Sequence, residues 1–469
     1  MARSLKTIWH IRGGLRRNRR SAIMTSVKAT GEAAGAQVSD LASVVRPFLL
    51  LIVLLVYWIS FEPFHDRSGA DLAGPLEGGN IANQIAFPLL WVVLVGFTLV
   101  TKPKYFLNVA AFPFVAFIVW LLITNVVSGD PATGLKRGLF EIISVTIAAI
   151  AVGLPQSPRQ FANLLAIAAL AVLVLCYFGV AFLPSLSIHS TGDTLEKELA
   201  GNWRGFFSHK NEAGAMMVAL IFTGLFIKDA GQRWAGWLIV GLASVFLLFS
   251  VSKTSIALVP FILTLAALVY RTRSGWLRAI FILLPLVLLN VATVGSSWPG
   301  PVRSIVASVL PDATFTGRTD LWRFSMEQTA EHPVFGYGLT GPWRTNELMY
   351  RDKLPAEPED ISGWVEELGT DSHNSYLEAA LQFGIPGLVL LLLAVIYQPM
   401  RDFGTALRVS NNPALLRYFL RLWIYVLYTA SLETVLVSRN NPVWFMALMA
   451  IFGMHLLARF PVAEEDRAA

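Results

Sequence analysis

The stretch FANLLAIAALAVLVLCYFGVAFLP, from Phe161 to Pro184, contains no charged residue. As a helix rising 1.5 Å per residue it spans about 36 Å, enough to cross the ~30 Å hydrocarbon core of a bilayer. A buried soluble helix has no need of such length without a polar face. Working outward in both directions, similar runs recur at 44–61, 84–101, 105–127, 138–154, 212–228, 234–251, 254–270, 277–294, 376–398, 415–437 and 442–459. Composition agrees: 55% of the 469 residues are hydrophobic and 14% charged, where soluble domains carry about 25% charge. The expected fold is an all-α integral membrane protein with about twelve transmembrane helices and one long loop between the ninth and tenth.

Charge orients the spans. Residues 1–43 form a basic tail with Arg12, Arg16, Arg17, Arg19 and Arg20, lacking the apolar core and small-residue cleavage site of a signal peptide. This tail is expected to stay cytoplasmic, disordered or lying on anionic lipid. Alternate turns then hold Lys102 and Lys104, Arg159, Lys228 and Arg233, the group Arg271, Arg273 and Arg278, and the group Arg401, Arg408 and Arg417. That is the positive-inside pattern. It puts both termini in the cytoplasm, groups 44–294 as helices 1–9 and 376–459 as helices 10–12, and leaves 295–375 as a periplasmic loop and 460–469 as a cytoplasmic tail. The same pattern explains the net charge of +6 without nucleic acid. Cys176 is the single cysteine, so neither a disulfide framework nor a thiolate metal site is expected. No paired-Cys, His-Glu-x-x-His or phosphate-loop motif occurs, and neither metal nor nucleotide cofactor is expected.

The chemistry-bearing residues fall on the outer side. Arg204, Lys210, Lys253 and Arg439 all lie at the outer ends of expected helices. Each alone reads as a side chain snorkelling to lipid phosphate, whereas four at one depth point to a shared anionic ligand. The long loop is rich in aromatics: Trp298, Phe315, Trp322, Phe324, Tyr337, Trp343, Tyr350 and Trp364. These suit either the membrane interface or the flat faces of sugars. The segment 319–331 reads as a helix with Leu321, Trp322, Ser325, Met326 and Thr329 on one face, suited to lying along the bilayer. Ser375 and Glu378 have capping-box spacing at the start of the tenth span, leaving Glu378 between a structural and a catalytic role. His373 then precedes a helix N-terminus, whose positive end disfavours imidazolium. It is expected to stay neutral and serve as a general base. Glu141 and Glu433 fall inside expected spans, as proton-relay groups or as partners of nearby arginines. Gly336-Tyr-Gly-Leu-Thr-Gly341 matches a dinucleotide fingerprint only in spacing, and without a preceding strand it reads as a turn.

Five motifs occur in order: Arg204-Gly-Phe-Phe-Ser-His-Lys-Asn-Glu-Ala-Gly214, Ser250-Val-Ser-Lys-Thr-Ser255, Gly317-Arg-Thr-Asp-Leu-Trp322, His332-Pro-Val-Phe-Gly-Tyr-Gly338 and Ser372-His-Asn-Ser-Tyr376. Together they resemble the O-antigen ligase and polymerase superfamily, and the His209-Lys210-Asn211 form is most like its ExoQ-type exopolysaccharide polymerases. The resemblance implies a metal-free membrane glycosyltransferase in the bacterial inner membrane, polymerising undecaprenyl diphosphate-linked repeat units. A ligase moving glycan to lipid A-core is the alternative, and a secondary transporter is disfavoured by the absence of visible repeats. It further implies His373 as catalytic base and Arg204 and Arg318 as diphosphate ligands; from their position at the outer rim, Lys210, Lys253 and Arg439 are expected to join them. Lys253 stands where related proteins often carry arginine, so paired contact there is in doubt. His209, Asn211, Trp322, Asn374 and Glu378 are supporting or glycan-binding candidates. The implied partners are the lipid-linked donor and acceptor, membrane lipids, a chain-length regulator and a flippase.

Overall fold

The computed structural model describes residues 41–61, 63–64, 81–190, 199–309, 315, 318–343, 371–439 and 441–460. Residues 1–40 of the basic tail, 461–469, Gly317, Tyr350 and Trp364 lie outside the described residues. What is described is helical; the one ladder pairing is an isolated antiparallel bridge between Ile188 and Trp203. In chain order the helices are α1 (Leu41–Ile59), α2 (Ile81–Thr101), α3 (Tyr105–Val109), α4 (Phe112–Val126), α5 (Pro131–Ala151), α6 (Pro158–Phe182) and α7 (Pro184–Ser187). Then come α8 (Lys210–Asp229), α9 (Arg233–Ser250), α10 (Lys253–Arg271), α11 (Gly275–Thr293), α12 (Pro301–Val309) and α13 (Arg318–Glu331). The last four are α14 (Ser375–Leu392), α15 (Gln398–Val409), α16 (Pro413–Thr429) and α17 (Pro442–Arg459).

Every apolar run in the sequence falls on helix, but not every run is one long helix. Among the described residues, 9 helices are long and apolar enough to cross a membrane. The expected span 105–127 is broken: α3 ends at Val109 and a separate 15-residue α4 starts at Phe112, with Pro113 in its first turn. Proline is welcome in a helix's first turn, where its missing N–H has no partner to lose. The expected span 415–437 stops at Thr429, and Leu432 to Val437 fold back as a loop instead. α5 begins at Pro131, seven residues earlier than expected, with Asp130 accepting from the Thr133 N–H as its cap.

α8, α16 and α17 make up most of the centre, buried along most of their lengths. α8 and α9 approach closely, because a Cβ on Gly236 would lie 2.6 Å from the Gly224 carbonyl. Small residues permit this contact in a lipid-embedded bundle, where packing rather than water drives association. α16 is aromatic, and its polar tips bond backbone in its neighbours: Tyr425 to Ala215 O at 3.2 Å and Tyr428 to Ile282 O at 2.8 Å.

Two prolines decide how the tenth expected span is built. It does not end at 398 but runs through a π-helical turn, Leu393–Tyr397, into α15. Pro399 cannot donate to Val395 O, and Trp423 Nε1 fills that carbonyl at 2.7 Å. Higher up, Pro386 leaves Gln382 O without its helical donor, and the Gly338 N–H takes it at 2.8 Å. Tyr337 N donates to Leu381 O at 3.0 Å, and Ile385 N to Pro333 O at 2.8 Å. The His332–Gly338 motif therefore docks, backbone to backbone, into an unwound turn of α14. Gly336 and Gly338 hold left-handed φ there, so the glycine pattern is the turn expected and its job is this docking.

Gly384 is the tightest point, with φ +68° and a hypothetical Cβ only 2.1 Å from Val334 O. Gly384→Ala is expected to cost roughly 2–4 kcal/mol and lower the thermal midpoint of the purified protein by several degrees. Gly96→Ala, with nothing within 4 Å, should leave it unchanged. Equal midpoints for the two variants would contradict the docking role.

Candidate functional site

The short segment before α14 is held from several sides. Trp322, fully buried on α13, donates Nε1 to Ser372 O at 3.0 Å. The Ser372 N–H donates to Glu378 Oε2 at 2.9 Å, and Ser372 Oγ to Asn374 O at 2.9 Å. Asn374 Oδ1 accepts from Tyr376 N and Leu377 N and is the N-cap of α14. These contacts correct the expected capping box and favour the supporting over the open alternative for Glu378 and Trp322. Ser375 and Glu378 form no capping box: Ser375 is already helical, and its Oγ donates to Glu433 O and accepts from Val435 N and Leu436 N. Glu378 is a buried strut, also accepting from Trp343 Nε1 at 3.1 Å. Trp322 faces the protein core, so no open aromatic face is offered to a sugar.

Held this way, His373 adopts φ +47° and bonds its N–H to Asp371 Oδ1 at 2.8 Å. Its ring Nδ1 lies 3.1 Å from Glu433 Oε2. The other oxygen of Glu433 pairs with Arg318 Nη2 at 2.9 Å and accepts from Asn211 Nδ2 at 3.2 Å. Arg318 Nη1 also donates to Leu432 O. Four segments thus converge at one end of the bundle: the start of α8, the start of α13, the turn before α14, and the fold-back after α16. Ser252, just before α10, joins through Asn211 Oδ1 at 3.3 Å.

Burial alone would raise the Glu433 carboxyl, but Arg318 and the His373 hydrogen bond outweigh it and hold the group at about 2. Burial would lower His373; the Asp371 and Glu433 carboxylates overcome this and the opposing Arg318, so its pKa lies above the usual value. The direction of this shift runs against the expected effect of the helix terminus, because two carboxylates sit closer than the dipole. With Nδ1–H donating to Glu433, Nε2 is the ring nitrogen left to take a proton, and Glu433 steadies the imidazolium that results.

The four outer cations do not form one cluster. Lys210, the first residue of α8, directs Nζ to Val251 O at 3.4 Å, and Lys253 is exposed at the start of α10. Through Asn211 and Ser252 these two lysines border the Glu433 network. Arg204 sits in the loop leading to them, with Nε on Leu186 O at 3.0 Å. Arg439 instead lies electrostatically against Arg137 and Glu141, and its carbonyl accepts from Ser144 Oγ at 3.1 Å. His209 is a cap, accepting from the Asn211 N–H at 3.1 Å through Nδ1. Of the two glutamates expected inside spans, Glu433 pairs with arginine, while the buried Glu141 accepts from Trp444 Nε1 at 2.7 Å. Among the described residues no group of three or more His, Cys, Asp or Glu is placed to hold a metal ion.

Left-handed backbone marks the same place. Among the described residues, five non-glycine residues have positive φ, and four of them border this network: Val251, Phe315, His373 and Val437. β-branched valines pay for that conformation, and such strain gathers where a site fixes its groups. Glu433 is the arginine partner that the sequence offered as one alternative, but not within a span: its apolar neighbours Leu432, Val435 and Leu436 read as a helix end and lie instead in a loop. The left-handed turn at Val437 and the charge at 433 were the available signals against that reading only once the fold was known.

Titration tests the pairing without reference to activity. Carbethoxylation of His373, followed by mass spectrometry, should have its pH midpoint above 6.5. Glu433→Gln removes one of the carboxylates that raise it, so the midpoint should fall. The charged pair stabilises the fold in a bounded window. Glu433's share is lost as pH falls toward 2, and His373's share is lost as pH rises through its elevated pKa. A midpoint unchanged in Glu433→Gln would contradict the assignment.

Residues 238–392, from within α9 to the end of α14, match the family model described as O-Antigen ligase. That segment contains Lys253, Arg318, Trp322, His373, Asn374 and Glu378, and leaves Arg204, Lys210 and Glu433 on either side. Over 329 residues, 66% of this chain and 69% of the relative, the chain is 26% identical to the exopolysaccharide production protein ExoQ of Rhizobium meliloti (strain 1021). The chain is a multi-pass membrane protein of which residues 238–392 are similar to the O-antigen ligase family.

Proposed function

We propose that this protein polymerises lipid diphosphate-linked oligosaccharide repeat units at the periplasmic face of the inner membrane. The observation that carries the reading is the His373–Glu433–Arg318 linkage: a histidine oriented through Nδ1 by a half-buried carboxylate, at one end of a helical bundle. The printed description of the matched family and the name of the ExoQ relative support glycan chemistry there. In this reading the bundle has twelve spans, α4, α5 and α16 completing the nine long apolar helices. Both termini are cytoplasmic, and the segment between α11 and α14 is periplasmic. The clustering of Lys and Arg in turns at the opposite end supports that orientation.

The reaction needs little from the protein energetically, since a diphosphate is already a good leaving group. An acceptor hydroxyl oxygen attacks C1 of the donor sugar. The C1–O bond to the carrier breaks, and its electron pair leaves on the diphosphate. The hydroxyl proton passes to His373 Nε2, while Glu433 stabilises the imidazolium formed. Arg318 is engaged by Glu433, so it holds the base in place and offsets its charge rather than acting alone as the clamp. Arg204, Lys210 and Lys253 are then the groups that receive the diphosphate, with Arg204 able to make paired charge-assisted bonds. Arg439, beside Arg137 and Glu141, contributes at a distance. No metal or nucleotide enters the scheme. A chain-length regulator and a flippase are the partners such a polymerase works with. Ligase activity is the second reading, favoured by the description of the matched family.

His373→Ala should lower transfer by about 10² to 10⁴ in purified, folded protein given a lipid-linked repeat unit. In cells a lost polymerase leaves single repeat units on the carrier, and a lost ligase leaves long chains. Single units are expected. Long chains would favour the ligase, and full activity in His373→Ala would remove the mechanism. A reporter fused at residue 340 should read periplasmic and one at 465 cytoplasmic; an inverted result would overturn the orientation.

A further inference from the structure

At the end of the bundle away from Glu433, α15 and α17 meet the break between α3 and α4. His455, 2% exposed, lies within 2.7 Å of Asp402 Oδ2 through Nδ1. Gln398 Nε2 donates to the same oxygen at 2.9 Å. These three are packed in the bundle, yet His455 Nε2 is buried with no hydrogen-bond partner. Beside it opens a cleft of about 270 Å³ that is also lined by Arg401, Arg459 and Phe112. That is far more room than a single bridging water needs.

The lining selects the occupant. Two guanidinium groups against one carboxylate leave the cleft positive. Arg401 is exposed and makes no ion pair among the described residues. Arg459 is fixed at the rim by Nη1 donating to Asn108 O at 2.8 Å, which leaves its remaining N–H groups for a ligand. Asp402 holds the Nδ1 side of the imidazole, and the ring lines the cleft, so a protonated Nε2 is the ring donor left for a ligand there. A buried ring nitrogen without a partner is a cost that a bound acceptor relieves. Guanidinium groups match the geometry of phosphate oxygens. Apolar surface flanks the charges: Phe112 is 81% and Leu107 77% exposed.

We propose that this cleft binds the phosphate of an anionic phospholipid, held by Arg401, Arg459 and His455 Nε2, with its acyl chains along Phe112 and Leu107. The site is separate from the Glu433 network and does not depend on the reaction proposed there. The apolar flank argues for a lipid over a free phosphate, and the net positive lining argues for an anionic over a zwitterionic headgroup.

Native mass spectrometry of the full-length, detergent-purified protein tests this with three probes: phosphatidylglycerol, phosphatidylcholine with the same acyl chains, and glycerol 1-phosphate. One phosphatidylglycerol should bind saturably, with the other two at least about tenfold weaker. Arg401→Ala should weaken phosphatidylglycerol about tenfold without changing thermal unfolding, since that side chain is exposed. His455→Phe should do likewise, and if it fails to fold, Arg401→Ala decides alone. Equal binding of the two lipids, binding of glycerol 1-phosphate as tight as that of phosphatidylglycerol, or unweakened binding in Arg401→Ala would each overturn the proposal.

Discussion

The carboxylate of Glu433 has Arg318 on one oxygen, His373 on the other, and the Asn211 amide beside the first. It is half-buried, and a carboxylate taken even partly from water without partners is costly. The partners come from parts of the chain far apart in sequence, so the ionised state of one group depends on the start of α8, α13 and the turn before α14 all being in place. Removing any one partner leaves charge exposed to a poorly solvated interior, which is far more damaging than losing an ordinary surface pair. That dependence is why the fold-back after α16 cannot simply continue as helix: Glu433 must reach across to Arg318.

The surrounding helices serve this arrangement by the way they break. In lipid, a carbonyl without a donor must find one within the protein. Pro386 and Pro399 each open such a carbonyl on the long α14–α15 rod, and each opening is filled by another element, Gly338 N or Trp423 Nε1. The first of these closures anchors the segment that follows α13. It thereby fixes the helix that bears Arg318 and Trp322 against the one that begins beside His373. Backbone satisfaction and site geometry are thus the same set of contacts.

Much of this was legible in the residues. Apolar length located the helices, with the last expected span, 442–459, coinciding with α17. His373 and Asn374 were legible as a pre-helix pair, and the order of motifs as a family. What hydropathy could not separate was an apolar fold-back from a membrane span. Leu432 to Val437 satisfy the same pattern whether they cross lipid or pack beneath a loop, and only tertiary partners distinguish the two. The same limit hid the break at Ala110–Ala111, where alanines neither favour nor forbid a turn as strongly as Pro113 invites a new start. Local rules misjudged His373 for a related reason. The helix terminus is visible in sequence, whereas the carboxylate sixty residues later is not. The four cations at similar depth have different neighbours: Arg439 lies electrostatically against Arg137 and Glu141.

The central claim is that His373 and Glu433 act as one unit in glycan transfer. A double-mutant cycle on transfer from a lipid-linked repeat unit measures this directly, comparing His373→Ala, Glu433→Gln and the two combined. If Glu433 works through the imidazole, its loss costs nothing further once His373 is gone, and the combined variant is as slow as His373→Ala alone. Losses that multiply in the combined variant would mean the two residues act independently, and would contradict the account.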